Sequence, residues 1–164
     1  MSAKPLSHNA SLIAWWLENG VIMTIVVDSA PKNPLYFRDY DVRIKIPGGG
    51  NKRGESTDTT ARREFREETN LFVKHRVRLI PVLSRWLEAD KHWKEAFVVP
   101  RSECRGKLHT KPVIDGDSTI MPRFISIEEA IKIVHQPLYN TFHRDALIVA
   151  QEKILEILEK RRTR

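Results

Sequence analysis

The chain of 164 residues carries 28 Lys+Arg against 21 Asp+Glu, a net charge of +7, with 41% hydrophobic and 30% charged residues. That is the size and make-up of one globular domain, large enough to bury a core without covalent staples. A single cysteine, Cys104, excludes an intramolecular disulfide and a cysteine-based zinc site and suits a reducing, cytoplasmic setting, and no apolar run approaches the roughly 18 residues of a membrane helix.

Residues 1–8, "MSAKPLSH", lack the apolar run of a signal peptide and are expected to be flexible. "SLIAWWL" and "VIMTIVV" are apolar and β-prone, and Asn19-Gly20 between them suits a tight hairpin turn because both residues tolerate positive φ. "DSAPKNP" reads as a loop, "LYF" and "VRIKI" as short strands, and "PGGGNKRGES" as a glycine-rich loop. From residue 56 to 69 the pattern turns helical, with Ser56 or Thr57 as cap and Asp58 at the positive end of the dipole. "VRLIPVLSRWL" and "WKEAFVV" are longer strands joined near "EADKH".

"PRSECRGKLHTKPVIDGDSTIMP" is rich in Pro, Gly and charge and reads as a long loop. "RFISIEEAIKIV" is a strand entering a helix, with Ser126 and Glu129 at capping-box spacing. Residues 140–162 form an amphipathic helix. Its Leu147, Ile148, Ala150, Ile154, Leu155, Ile157 and Leu158 fall at helical intervals and belong to the core, while residues 161–164 are expected to be flexible. The order of elements predicts one α/β (α+β) domain over residues 1–164, with helices flanking a mixed sheet.

The stretch "REFREETN", residues 63–70, is the least explicable by packing. On a helix Glu64, Glu67 and Glu68 project from one side, while Ala61 and Phe65 turn toward the core. Like charges at these spacings cost roughly 0.2–0.5 kcal/mol per pair. Arg63, four before Glu67, offsets part of that. A hard divalent cation supplies a reason for the rest, since Mg²⁺ binds through a few carboxylates plus substrate phosphates. A solvated acidic face is the plain alternative. The preceding "PGGG" offers backbone without Cβ atoms, able to approach a ligand closely and to present a carbonyl oxygen.

Together these segments hold a long-range spacing: Gly49, five residues, Glu55, seven residues, then Arg63-Glu64-Phe65-Arg66-Glu67-Glu68-Thr69-Asn70-Leu71. This resembles the Nudix box, Gly-x5-Glu-x7-Arg-Glu-U-x-Glu-Glu-x-Gly-U, with Phe65 and Leu71 in the bulky apolar U positions. A chance match to its six charged or glycine positions is on the order of one in 10⁵. The departure is Asn70 in place of glycine, a substitution a left-handed helix end tolerates. "VRIKIPGG" and "RFISIEEAIKI" extend the likeness over most of the chain.

The resemblance implies an α/β/α sandwich around a mixed sheet and a hydrolase that cleaves a diphosphate bond in a nucleoside diphosphate linked to another moiety. It implies that Glu64, Glu67 and Glu68 hold Mg²⁺ or Mn²⁺, that the Gly49 carbonyl assists, and that Arg63 orients the carboxylates with Glu55 in support. A general base is needed to take a proton from the attacking water. Glu64 is one candidate. Glu95, which interrupts the apolar run of "WKEAFVV", is the other, and Asp115 and Asp117 are further acids on the loop.

Gly48, Gly50 and Arg38 are candidate substrate contacts. Trp15, Trp16, Trp86 and Trp93 could stack a base if they are not core. Arg85, Lys91, Lys94 and Arg101 could hold phosphates, whereas His75, His92, His109 and His143 lack metal-ligand spacing. The basic excess fits solubility or a phosphate-bearing ligand. An RNA 5′ end fits it too, without an RNA-binding motif; a homodimer is left open. The rival reading is a Nudix-like module that binds a nucleotide without hydrolysing it. A diphosphate isomerase of the same fold has no further feature here to support it.

Overall fold

Two long apolar strands open the fold. β1 (His8–Glu18) and β2 (Val21–Pro31) turn through Asn19 and Gly20, at φ 50° and 80°. A two-residue hairpin needs both angles positive, and the pairs Glu18↔Val21 and Leu17↔Ile22 close it. This computed structural model describes residues 7–31, 43–88, 91–116, 118–134 and 141–164. The expected strand "LYF", with Arg38, lies outside them, as do Asp117 and residues 1–6 of the expected flexible start. His8, at the end of that start, is already in β1 and only 8% exposed.

The remaining elements are β3 (Arg43–Lys45), β4 (Gly48–Gly50), α1 (Thr57–Thr69), β5 (Leu71–Val73), β6 (Ile80–Leu87), β7 (His92–Pro100), β8 (Cys104–Gly106), β9 (Val113–Asp115), β10 (Ser118–Ser126), α2 (Ile127–Ile133) and α3 (Phe142–Arg162). Several stretches expected as loop are strand. Residues 28–31 continue β2 because β10 pairs with that strand along its length, from Met23↔Ser126 to Pro31↔Ser118. The glycines of β4 pair with β1. The long charged loop holds β8, which pairs with β5, and β9, which pairs with β10. In each case a partner distant in sequence overrides a weak local propensity.

The main sheet has eight strands in the order β6-β7-β1-β2-β10-β9, with β3 beside β2 and β4 beside β1. Among the described residues all pairs are antiparallel except β1 with β7, which run parallel from His8↔Trp93 to Trp15↔Pro100 and make the sheet mixed. Side chains alternate between its faces. Ala10, Leu12 and Ala14 of β1 and Phe97 and Val99 of β7 pack with Ala61 and Phe65 of α1. Ile13, Trp15, Ala96 and Val98 pack on the other face with Ala130 of α2 and Phe142, Leu147, Ala150 and Ile154 of α3. The result is the expected α/β/α layering.

One assignment on α3 is corrected. Leu155 is 52% exposed, not core, because one residue beyond the buried Ile154 turns it off the apolar stripe. Among the described residues no helix is long and apolar enough to cross a membrane.

Candidate metal centre

Helix α1 begins and ends on identifiable chemistry. The Ser56 hydroxyl accepts the Thr59 N–H at 3.2 Å, and Asn70 closes the helix at φ 63° with its N–H on the Arg66 carbonyl. The Asn70 side chain also donates to the Lys107 carbonyl at 2.9 Å, a bond glycine could not make. Ala61 and Phe65 sink into the sheet, which aims the adjacent Glu64 and Glu68 at the glycine strand β4.

Why glycine stands there follows from contact. A Cβ on residue 49 would lie 2.6 Å from Glu64 Cδ, and one on residue 48 would strike the Ala10 carbonyl oxygen and Ser11. The close approach is thus to the protein's own carboxylate and to β1. At Gly50 a Cβ would meet only Asn9 at an ordinary 3.5 Å. The Gly48 N–H donates to Glu68 Oε1 at 2.6 Å, and the Gly48 carbonyl accepts from Lys45 at 2.8 Å. Both polar groups of Gly48, a candidate substrate contact, are therefore engaged within the protein.

Arg63 organises the acids around it. Its Nε and Nη2 reach the two oxygens of Glu55 at 2.7 and 3.0 Å, and Nη2 also reaches the Gly50 carbonyl at 2.8 Å. Its Nη1 donates to Glu64 Oε1 at 2.7 Å and Glu67 Oε2 at 3.2 Å. These contacts use all five guanidinium N–H groups. Glu55 also accepts from the Lys52 N–H and the Thr60 hydroxyl, and the bond from Arg63 leads in holding its carboxyl down to about 2. Behind Thr60 stands His8, whose Nε2 is 2.9 Å from the hydroxyl oxygen. Because that hydroxyl gives its hydrogen to Glu55, His8 must be the donor to it.

Glu64 and Glu68 are pushed the other way. Burial raises the Glu64 carboxyl against the pull of Arg63, with Asp115 and Glu67 adding to the rise. Glu68, fully buried, is raised to about 7 by desolvation, opposed by Lys45 and the Gly48 N–H. Its Oε2 lies 3.1 Å from Lys45 Nζ but accepts no aligned hydrogen bond.

The third acid at this point is Asp115, from the end of β9. Oxygens of Glu64, Glu68 and Asp115 lie within 4.8 Å of one another. The sequence put Asp115 among the lesser candidates for the site, as an acid on a loop. The signal was there: Asp115-Gly116, with Gly116 at φ 56°, sits between the β-prone "VI" and "STI" and marks a hairpin. Glu67 is not in this group; it stands at the rim, 42% exposed, between Arg63 and Lys52. Glu95 is not in it either, lying on β7 opposite Ala10 and Ser84. Lys45 and His8 are the residues of the site that the sequence did not single out.

Other candidates are engaged elsewhere. Trp15 is core, Trp16 packs edge-on against Phe124, and Trp86 and Trp93 form an exposed edge-to-face pair at 5.8 Å. Arg101 stacks over Trp16 and Phe124, Arg85 bonds Asp145 of α3 at 2.8 Å, and Lys91 pairs with Glu88. The His109 N–H bonds the Thr69 carbonyl, fastening the chain before β9 to the end of α1.

Three convergent carboxylates, one with a buried oxygen lacking an aligned donor, form an all-oxygen set of the kind hard divalent cations take. A cation there would also relieve the desolvation that raises Glu64 and Glu68. The residues present therefore fit Mg²⁺ or Mn²⁺.

A family model for the NUDIX domain matches residues 24–147. A candidate NUDIX hydrolase from Listeria monocytogenes is similar in structure, with TM-score 0.65 at 16% identity, over 93% of this chain and 96% of that one. A mutT/nudix family protein from Listeria innocua gives TM-score 0.60 at 20% identity, over 95% and 98%. The NUDIX domain of Shewanella oneidensis NrtR, solved with ADP ribose, gives 0.61 at 12% identity, over 93% and 91%. No curated protein matches the sequence.

Proposed function

The chain belongs to the Nudix family, and from that premise we propose that it is a metal-dependent hydrolase of a diphosphate bond in a nucleoside diphosphate derivative. The observation that carries this reading is the convergence of Glu64, Glu68 and Asp115 beside the glycine strand. The ADP ribose held by the NrtR domain supports the substrate class. The lone Cys104 supports a cytoplasmic setting.

Glu68 and Asp115 would hold Mg²⁺ or Mn²⁺, with Glu64 and the Gly49 carbonyl in support and Glu67 at the rim. When bound, the cation polarises a phosphoryl oxygen and offsets charge on the departing phosphate. Arg63 fixes the Glu64 carboxylate through Nη1 and ties the glycine strand to the helix through the Gly50 carbonyl. Glu64 accepts the proton of the attacking water, its carboxylate held in place by the bond from Arg63 Nη1. The oxygen of that water bonds to phosphorus as the bridging P–O bond breaks, giving two phosphate-bearing products.

The test is product release from nucleoside triphosphates, nucleotide sugars, ADP-ribose, dinucleoside polyphosphates and 5′-triphosphorylated RNA, each with Mg²⁺ and with Mn²⁺. Turnover of at least one substrate, abolished by EDTA, is expected. Tight binding of a panel member with no turnover of any would replace this reading with the non-catalytic module.

A further inference from the structure

Three oxygens converge on the Lys45 ammonium: the Gly48 carbonyl at 2.8 Å and Glu68 Oε1 and Oε2 at 3.4 and 3.1 Å. Lys45 ends β3, where its backbone is registered against Val27 of β2. Its side chain is 26% exposed, whereas that of Glu68 is 0% exposed. The ammonium thus sits against Glu68, a carboxylate a divalent cation would seek, on a side chain that is itself partly open to solvent.

The two cations would compete for Glu68. A divalent ion of the size of Mg²⁺ draws its oxygens to roughly 2.0–2.1 Å, well inside the distances Lys45 keeps. It would bring a like charge against the ammonium in a site with little water to screen them. Glu68, wholly buried, has nowhere else to turn. Lys45, on a flexible four-carbon stem, does.

We propose that Lys45 is the resident counter-ion of Glu68 in the metal-free protein and that divalent-cation binding exchanges it, moving the ammonium out to solvent. This rests on the metal-dependent reading above and adds to it a residue outside the Gly49–Leu71 motif. It makes the metal site one of cation exchange: in the metal-free fold Lys45 occupies the place beside the Glu68 carboxyl group, and the ion must displace a tethered competitor.

The experiment is amine acylation of the wild-type protein, read lysine by lysine by mass spectrometry, with and without Mn²⁺, beside calorimetric titration of Mn²⁺ alone. Lys153, paired with Glu156 on α3, serves as internal control. A several-fold rise in Lys45 labelling at Mn²⁺ saturation, with Lys153 unchanged, is expected. Lys45 labelling that stays constant or falls while calorimetry shows Mn²⁺ bound overturns the exchange and leaves the metal reading standing. No Mn²⁺ uptake at all overturns both. Lys45→Met should melt lower than wild type without metal, bind Mn²⁺ several-fold more tightly and gain more in melting temperature from it. Unchanged or weaker Mn²⁺ binding by that variant also overturns the exchange.

Discussion

Arg63 grips Glu55 through two parallel contacts, Nε to Oε1 at 2.7 Å and Nη2 to Oε2 at 3.0 Å, while its remaining donors hold Glu64, Glu67 and the Gly50 carbonyl. A lysine can keep only part of this fork. Arg63→Lys should destabilise the protein by about 2–3 kcal/mol and weaken Mn²⁺ binding by releasing the Glu64 carboxylate. Equal denaturant midpoints for variant and wild type would show that the fork carries no structural weight.

Metal should stabilise the fold, because an ion bound only by the native state adds to its stability. EDTA should abolish activity, Mg²⁺ or Mn²⁺ should restore it, and both ions should raise the melting temperature. Glu68→Gln and Asp115→Asn should each reduce that rise and weaken Mn²⁺ binding in calorimetry. A normal Mn²⁺ response in both variants would mean that the three acids converge for some other reason.

The same acids set a pH profile for the metal-free protein. Glu68 is raised from an ordinary 4.5 to about 7, so between these values the folded state holds a proton that the unfolded chain has released. Stability therefore falls as pH rises through that window. Glu55 is the reverse: lowered from 4.5 to about 2, it contributes stability that is full above 4.5 and lost as pH falls toward 2. Melting temperature without metal should peak at about pH 5. Glu68→Gln should remove the decline toward neutrality, and Glu55→Gln should flatten the acid limb. An unchanged alkaline slope in Glu68→Gln would place the proton on another group.

Proton acceptance can be separated from metal binding. Glu64→Gln should lower kcat by roughly 10²–10⁴, the usual contribution of a positioned base, with a smaller change in Mn²⁺ affinity than Glu68→Gln produces. Glu95→Gln should leave kcat close to normal, since Glu95 lies outside the carboxylate group. A large loss at Glu95 with normal Glu64→Gln kinetics reverses the two roles.

At the helix end two effects oppose each other. Asn70→Gly relieves a Cβ held at φ 63° but loses the bond to the Lys107 carbonyl, so its net effect should stay within about 1 kcal/mol. Asn70→Val loses that bond and keeps the strain, and should cost about 2 kcal/mol. Chemical denaturation of the two variants checks the order, and a Val variant as stable as the Gly variant would contradict it.

Much of this was legible in the chain because it is local chemistry. Asn19-Gly20, the Ser56 and Ser126 caps and the Asn70 helix end all act within a few residues, and all stand where their residue types require. What sequence could not supply was pairing at a distance. β4 is strand only because Ala10 lies opposite Gly49, and Asp115 reaches the acids only because β9 is carried by β10. Lys45 and His8 are ordinary residues until the fold sets one against Glu68 and the other against Thr60, 52 positions away.

The parallel pairing of β1 with β7 has a consequence for how the molecule comes into being. β1 sits in the middle of the sheet, yet its partner β7 is not complete until Pro100, and the acid that joins Glu64 and Glu68 follows only at residue 115. Closing a loop of that length before any reward is the slow route in folding. Synthesised from the N-terminus, a nascent chain holds its two buried glutamates for some fifty residues before the third arrives, at a usual 5–20 residues per second. During those seconds β1 and β2 can pair with β3 and β4, and with β7 once residue 100 is made, but the edge of β2 that β10 covers stays open, and that interval is when the chain is most open to association with its neighbours.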